Sequence, residues 1–210
     1  MPTIKFYKAI AGSLSEPSKM PGFGYGLPAL KTCNVGSKLA KIPGTPCADC
    51  YACKGHYTFA NVKDAQEKRL QAVLHNPSWV DAMTAMIESK KSKYFRWHDS
   101  GDLISLDHLS KICQIAVRLP EYHFWLPTHE HGLIRQYREL HGDFPSNLIV
   151  RLSTPKVDGR PVTTDLCTSS VHKNAEPHGF ACPASKQGNK CGDCRACWNK
   201  EIKNVSYKFH

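Results

Sequence analysis

The feature that most restricts this chain is an alternation of strand-like and helix-like segments across its middle third. Residues 94–98 and 122–126 are rich in aromatic and β-branched side chains and read as strands, and 148–152 reads as a third. Between the first two, Leu106, Leu109, Ile112, Cys113 and Ala116 keep helical spacing behind Ser105, a good N-cap; between the last two, 133–140 reads as a helix. Two more helices are predicted upstream, over 62–74 and 79–89, separated by Asn76-Pro77-Ser78. Strands joined by helical connections of this length pair in parallel through right-handed crossovers. The expected fold is therefore α/β, either a partial parallel (β/α) barrel or a small open parallel sheet. It forms one domain over 1–210: Cys/Gly/Pro-rich loops in 1–60, a β/α core in 61–155 and a second Cys-rich region in 156–210.

The chain carries ten cysteines. No apolar run approaches the ~18 residues of a membrane span, and the first residues hold no signal-like apolar block, so a cytoplasmic protein without membrane contact is expected. Cytoplasmic thiols are kept reduced, which makes metal the leading account of so many cysteines. Eight of them form two sets of one design: Cys33 with Cys47-x2-Cys50-x2-Cys53, and Cys182 with Cys191-x2-Cys194-x2-Cys197. Three thiolates at equal short intervals wrap one end of a cubane that a remote cysteine completes, the pattern of a [4Fe-4S] cluster. Zinc accepts the same four thiolates, though it more often uses two separate hooks, and stays the alternative metal. Cys113 lies on the apolar face of its helix and reads as a small core residue; Cys167, upstream of His172 and His178, matches no familiar spacing. The formal charge of +10 falls to roughly +6 if each set holds a centre of about −2, still basic enough to favour an anionic small molecule or a nucleic acid as partner.

Loops that follow parallel strands gather at one sheet edge, where ligands bind in such folds. Here those loops are polar: Arg96, His98, Asp99, Ser100 and Asp102 after the first strand, His129 and Glu130 after the second, Ser153 after the third. Alternation along the strand places Arg96 and His98 on one face. Arg96, His98, Asp99, Asp102, His129 and Glu130 are therefore the candidate catalytic residues, and Arg96, Ser100 and Ser153 the candidate cofactor-binding ones. The plainer alternative makes Asp99 and Asp102 an Asx turn and a helix cap. His56, His75, His108 and His141 read as surface or partly buried residues, and His210 closes the chain.

Several stretches taken together resemble a known phage family, that of gene product 88: Phe23-Gly24-Tyr25-Gly26-Leu27-Pro28-Ala29-Leu30-Lys31-Thr32-Cys33, Cys50-Tyr51-Ala52, Gly55-x-Tyr57, Phe95-Arg96-Trp97-His98-x-Ser100-Gly101-Asp102 and Cys191-x2-Cys194-x2-Cys197-Trp198. The resemblance runs over nearly the whole chain. It implies a phage origin, hence the host cytoplasm, and kinship to radical S-adenosylmethionine barrels. One departure is Cys53, which stands where the family pattern has a basic residue. If Cys33, Cys47 and Cys50 alone hold the first cluster, one iron is open to S-adenosylmethionine; if Cys53 joins them, the cluster is closed. The expected function is thus an iron–sulfur protein with one or two [4Fe-4S] clusters, a redox or radical-type enzyme acting on a nucleotide, nucleic acid or other anionic substrate. The alternative is a nucleic-acid-binding or host-directed protein whose four-cysteine sites are structural.

Overall fold

The computed structural model describes residues 2–209, so His210 lies outside the described residues. Its elements are α1 (Ile4–Ala11), β1 (Phe23–Tyr25), α2 (Asn34–Leu39), α3 (Ala60–His75), α4 (Trp79–Glu88), β2 (Tyr94–Trp97), α5 (Leu106–Arg118), β3 (His123–Thr128), α6 (His131–His141), β4 (Leu148–Val157), β5 (Cys167–His172), β6 (Phe180–Ala181) and β7 (Asn204–Lys208). All strands pair in parallel within one open sheet of order β1-β2-β3-β4-β5-β7-β6. The α/β expectation therefore holds, as an open sheet of seven strands where the sequence shows only three in its middle.

Strands laid down almost in chain order by crossovers of one hand leave their helices on one face. Accordingly Ala11 of α1, Leu70 and Val73 of α3, Trp79 and Met83 of α4, Leu109 and Ile112 of α5 and Ile134 of α6 share one core with Phe95, Trp97, Phe124, Leu126 and Val150 from the sheet. Each buried Val, Leu, Ile, Phe or Met side chain there contributes roughly 1.5–3 kcal/mol. Ser105 caps α5 as expected, its hydroxyl accepting from the His108 amide at 3.1 Å.

The opposite face is not covered by α-helix. There Trp125 and Val205 pack with Met20, Ala196, Cys197 and Trp198 in a second core, so the Cys-rich C-terminal region is folded back over the sheet. Arg151, fully buried on β4, fixes it: Nε donates to the Cys197 carbonyl at 3.0 Å, Nη2 to those of Ala196 and Asn199 at 2.8 Å, and Nη1 to that of Ile202 at 2.8 Å and Thr168 at 3.2 Å. Trp198 adds a bond from Nε1 to the Phe95 carbonyl at 2.9 Å.

Several elements depart from the sequence reading. The first 60 residues, read as loop, contain α1, α2 and strand β1, whose glycines hide a strand alternation: Phe23, Tyr25 and Leu27 join the helix-side core while Gly24 and Gly26 lie opposite. A Cβ on Gly26 would stand 2.5 Å from Asp99 Oδ1, so only glycine lets the two segments meet there. Strand β4 continues past Pro155 by shifting register between Ser153 and Val157. Strand β5 has the polar sequence Cys-Thr-Ser-Ser-Val-His and looks like loop. It is buried because its hydroxyls find partners: Thr168 Oγ1 donates to Asn204 Oδ1 at 2.8 Å, and Ser170 Oγ accepts from Asn204 Nδ2 at 2.9 Å.

Candidate functional site

The first thiol set hangs from the loops after β1. Cys33 precedes α2, Cys47 and Cys50 lie in the turns leading to the one-turn helix Tyr51–Cys53, and Cys53 ends that helix. Gly36 of α2 makes room for it: a Cβ there would lie 2.9 Å from Cys33 Cβ, with Cys47 Sγ at 3.6 Å and Cys33 Sγ at 3.8 Å. Burial, followed by the Asp102 carboxyl and the neighbouring thiols, pushes Cys33 up to about 12. Cys47 is likewise pushed up to about 12, first by burial, then by Cys50 and Asp102. Cys50 is raised by burial above all. Free thiols here stay protonated, and a metal must displace those protons to bind. Cys53 alone of the four is exposed.

The second set belongs to the second core. Cys182 donates its amide to the Ser206 carbonyl at 2.8 Å, Cys191 to that of Lys19 at 2.7 Å, and Cys194 to that of Cys191 at 3.0 Å. Cys197 is buried, with Sγ 3.2 Å from the Tyr207 hydroxyl. Burial pushes its thiol up to about 11, with Arg151 and Arg96 acting in the opposite direction. Cys191 is raised by burial and by Cys182, while Lys19 and Arg96 lower it. Among the described residues no three His, Cys, Asp or Glu side chains are arranged to hold a single metal ion. Each set supplies four cysteine thiols, a donor type that both iron–sulfur clusters and zinc accept.

Arg96 stands between the two sets. Its guanidinium lies 4.5 Å from the Trp125 ring centroid, and Trp125 stacks on Tyr207, the partner of Cys197. On the other side Nη2 donates to the Tyr51 hydroxyl at 3.1 Å, and Tyr51 follows Cys50. Tyr51 donates to the Asp99 carbonyl, while the Asp99 carboxylate accepts from Tyr57 at 3.3 Å and Ser15 at 3.0 Å. Burial and Asp99 hold the Tyr57 phenol above its usual range, so it remains a donor. Arg96 Nε and Trp125 Nε1 are sealed from solvent with no partner among the described residues. Tyr51, Tyr57 and Trp125 were not among the predicted site residues; the short motifs around the first two were the available signal.

Other predicted residues lie elsewhere than expected. His98 does not share a face with Arg96. At φ +54° its backbone is left-handed, which turns the ring to the helix side of the sheet, 5.3 Å from the ring of His108. His108, read as a surface or partly buried residue, is fully buried. Ser100 is buried, its hydroxyl donating to the Leu27 carbonyl and accepting from Gln66 Nε2, both at 2.8 Å. Asp102 is neither an Asx turn nor a helix cap, since Ser105 caps α5; it ties two strand-end loops together, accepting from Leu103 N at 2.8 Å, Thr128 Oγ1 at 2.6 Å and His129 N at 2.9 Å. Its carboxyl is pushed up to about 7 by burial. Glu130 accepts the Val35 amide at 2.7 Å, bracing the Cys33 loop. His129 is lowered to about 4 by burial, and the Ser153 carbonyl faces His131 Nε2 at 3.1 Å. Of the strand-end residues, Arg96 and Asp99 lie between the thiol sets, and Asp102 and Glu130 support the first. Cys113 is buried as expected, and Cys167 donates to the Lys200 carbonyl at 3.4 Å.

A family model described as Gene product 88 matches residues 5–200, which takes in both thiol sets and every strand but the last. The chain belongs to the phage gene product 88 family. Neither a curated protein nor a solved structure matches it significantly. Among the described residues no helix is long and apolar enough to cross a membrane.

Proposed function

We propose that this gene product 88 protein is an iron–sulfur protein and a redox or radical-type enzyme, with the Arg96 site as its substrate pocket. The observation that carries the reading is the placement of a four-thiol set on either side of Arg96. Cys182, Cys191, Cys194 and Cys197 would hold one [4Fe-4S] cluster. Cys33, Cys47 and Cys50 would hold the other, with exposed Cys53 peripheral and one iron left for S-adenosylmethionine. When bound, such clusters supply one-electron transfer. The chain's own residues do the rest. Arg96, a partly exposed residue, binds the carboxylate or phosphate of an anionic substrate, nucleotide or nucleic acid by charge-assisted hydrogen bonds. Asp99, held by Tyr57 and Ser15, fixes the Tyr51 loop against Arg96, and Asp102 and Glu130 hold the loops around Cys33.

A second reading draws on the way Cys197 and Trp198 are built into the second core: both sets are structural, zinc or iron–sulfur, in a nucleic-acid-binding or host-directed protein. Anaerobic purification with metal analysis separates the two. The enzyme reading expects brown protein, absorbing near ~400 nm, with roughly eight irons for two cubanes. It also expects calorimetric binding of S-adenosylmethionine that Arg96→Ala removes without loss of iron. Colourless protein holding about two zincs would favour the structural reading.

A further inference from the structure

Arg151 is fully buried, yet its hydrogen bonds all go to backbone carbonyls, and among the described residues no carboxylate lies within salt-bridge distance of it. Arg96 likewise has no carboxylate within that distance. For Arg151, whose guanidinium is fully buried, the lack of a counter-ion is costly, because dipoles alone replace only part of its hydration. Both cations connect to the same residue, Cys197. Arg151 holds the Cys197 carbonyl, and Arg96 reaches Cys197 through Trp125 and Tyr207. The first thiol set also neighbours Arg96, through Tyr51, but differs in having buried Asp102 close by: the Asp102 amide donates to Thr32 Oγ1, one residue before Cys33, at 3.4 Å.

Resting on the iron–sulfur reading above, we infer that Arg96 and Arg151 are the counter-ions of an anionic metal–thiolate centre at Cys182, Cys191, Cys194 and Cys197, and that they make it the electron-accepting cluster of the pair. One electron from a low-potential donor takes a four-thiolate cubane from about −2 to about −3. Nearby cations stabilise the added charge and a nearby carboxyl opposes it. The second site therefore accepts and stores the electron, and the first, beside Asp102, is the stronger reductant. The two clusters have different roles: the C-terminal one receives electrons, and the N-terminal one works at the lower potential.

The test is an anaerobic dithionite titration of the loaded protein followed by electron paramagnetic resonance. Cys33→Ala and Cys191→Ala, each retaining one cluster, assign the signals. The C-terminal cluster is expected to be reduced first. Arg96→Gln should shift its reduction equilibrium at least tenfold toward the oxidised state, about 59 mV for one electron, and Arg96→Lys, which keeps the charge, should stay within about threefold of wild type. Arg96 is partly exposed, so these variants do not depend on replacing the buried Arg151. Reduction of the N-terminal cluster first, or a C-terminal potential unmoved by Arg96→Gln, would overturn the inference while leaving the two-cluster reading intact. Colourless zinc protein would overturn both.

Discussion

Protonation of the buried pair His98 and His108 should set the acid sensitivity of this fold. Neither ring nitrogen of either residue has a partner among the described residues, and both rings lie in the helix-side core. Burial lowers His108 to about 3 and His98 well below its ordinary value, with each also facing a further positive charge: Lys111 for His108, and His108 and then Arg96 for His98. In the unfolded chain an imidazole takes up a proton near pH ~6.5. Between that pH and the folded value the unfolded state binds more protons, so stability is full above about 6.5 and falls as the pH falls toward about 3. The slope is ~1.4 kcal/mol per pH unit for each histidine. At about pH 4.5 His108 alone would remove about 3 kcal/mol. His108→Phe keeps the ring contact with Trp79 and deletes the titration. Urea unfolding of both proteins across the acid range should show their stabilities diverging by that slope, the variant falling less. Loss of metal in acid affects both proteins and cancels in the difference. Parallel curves between about pH 6.5 and about 4.5 would refute the argument, since they would mean His108 binds no fewer protons folded than unfolded.

Gly36→Ala should lower metal occupancy of the first set, because its Cβ would sit 2.9 Å from Cys33 Cβ; helix propensity runs the other way by about 1 kcal/mol, so unchanged iron content would remove the cradle argument. Arg151→Met removes the guanidinium donors from five carbonyls of the second core, of which those of Ala196 and Asn199 keep a backbone amide, and should cost about 3 kcal/mol, with a shift in tryptophan emission as Trp198 loosens; wild-type unfolding and emission would show that Arg151 does not pin the C-terminal region. Cys194→Ala should reduce melting temperature and metal content more than Cys113→Ala, which trims only a small buried side chain. Equal losses would mean that Cys194 is no ligand.

Local patterns of residues were enough to establish the α/β class, the parallel pairing, the helices of the middle third, the N-cap at Ser105 and the two cysteine sets. Each of these is written as periodicity, capping chemistry or spacing within a few residues. The same patterns marked Arg96 and Asp99, because a parallel strand ends there. Whatever depends on contacts between distant segments was settled only by folding. Strand β1 hides its apolar alternation among glycines and β5 carries hydroxyls in place of one, and both become strands only because their neighbours supply the pairing and the hydrogen bonds. The side of the sheet to which His98 turns was set by one left-handed backbone angle, which no pattern of residue types encodes, so the expected Arg96–His98 pair separated onto opposite faces. Arg151 reads in sequence as one more basic residue on a strand. Only folding the C-terminal loops over the second face buries it, aligns its donors with five carbonyls and brings the second set of thiols to the far side of Arg96 from the first.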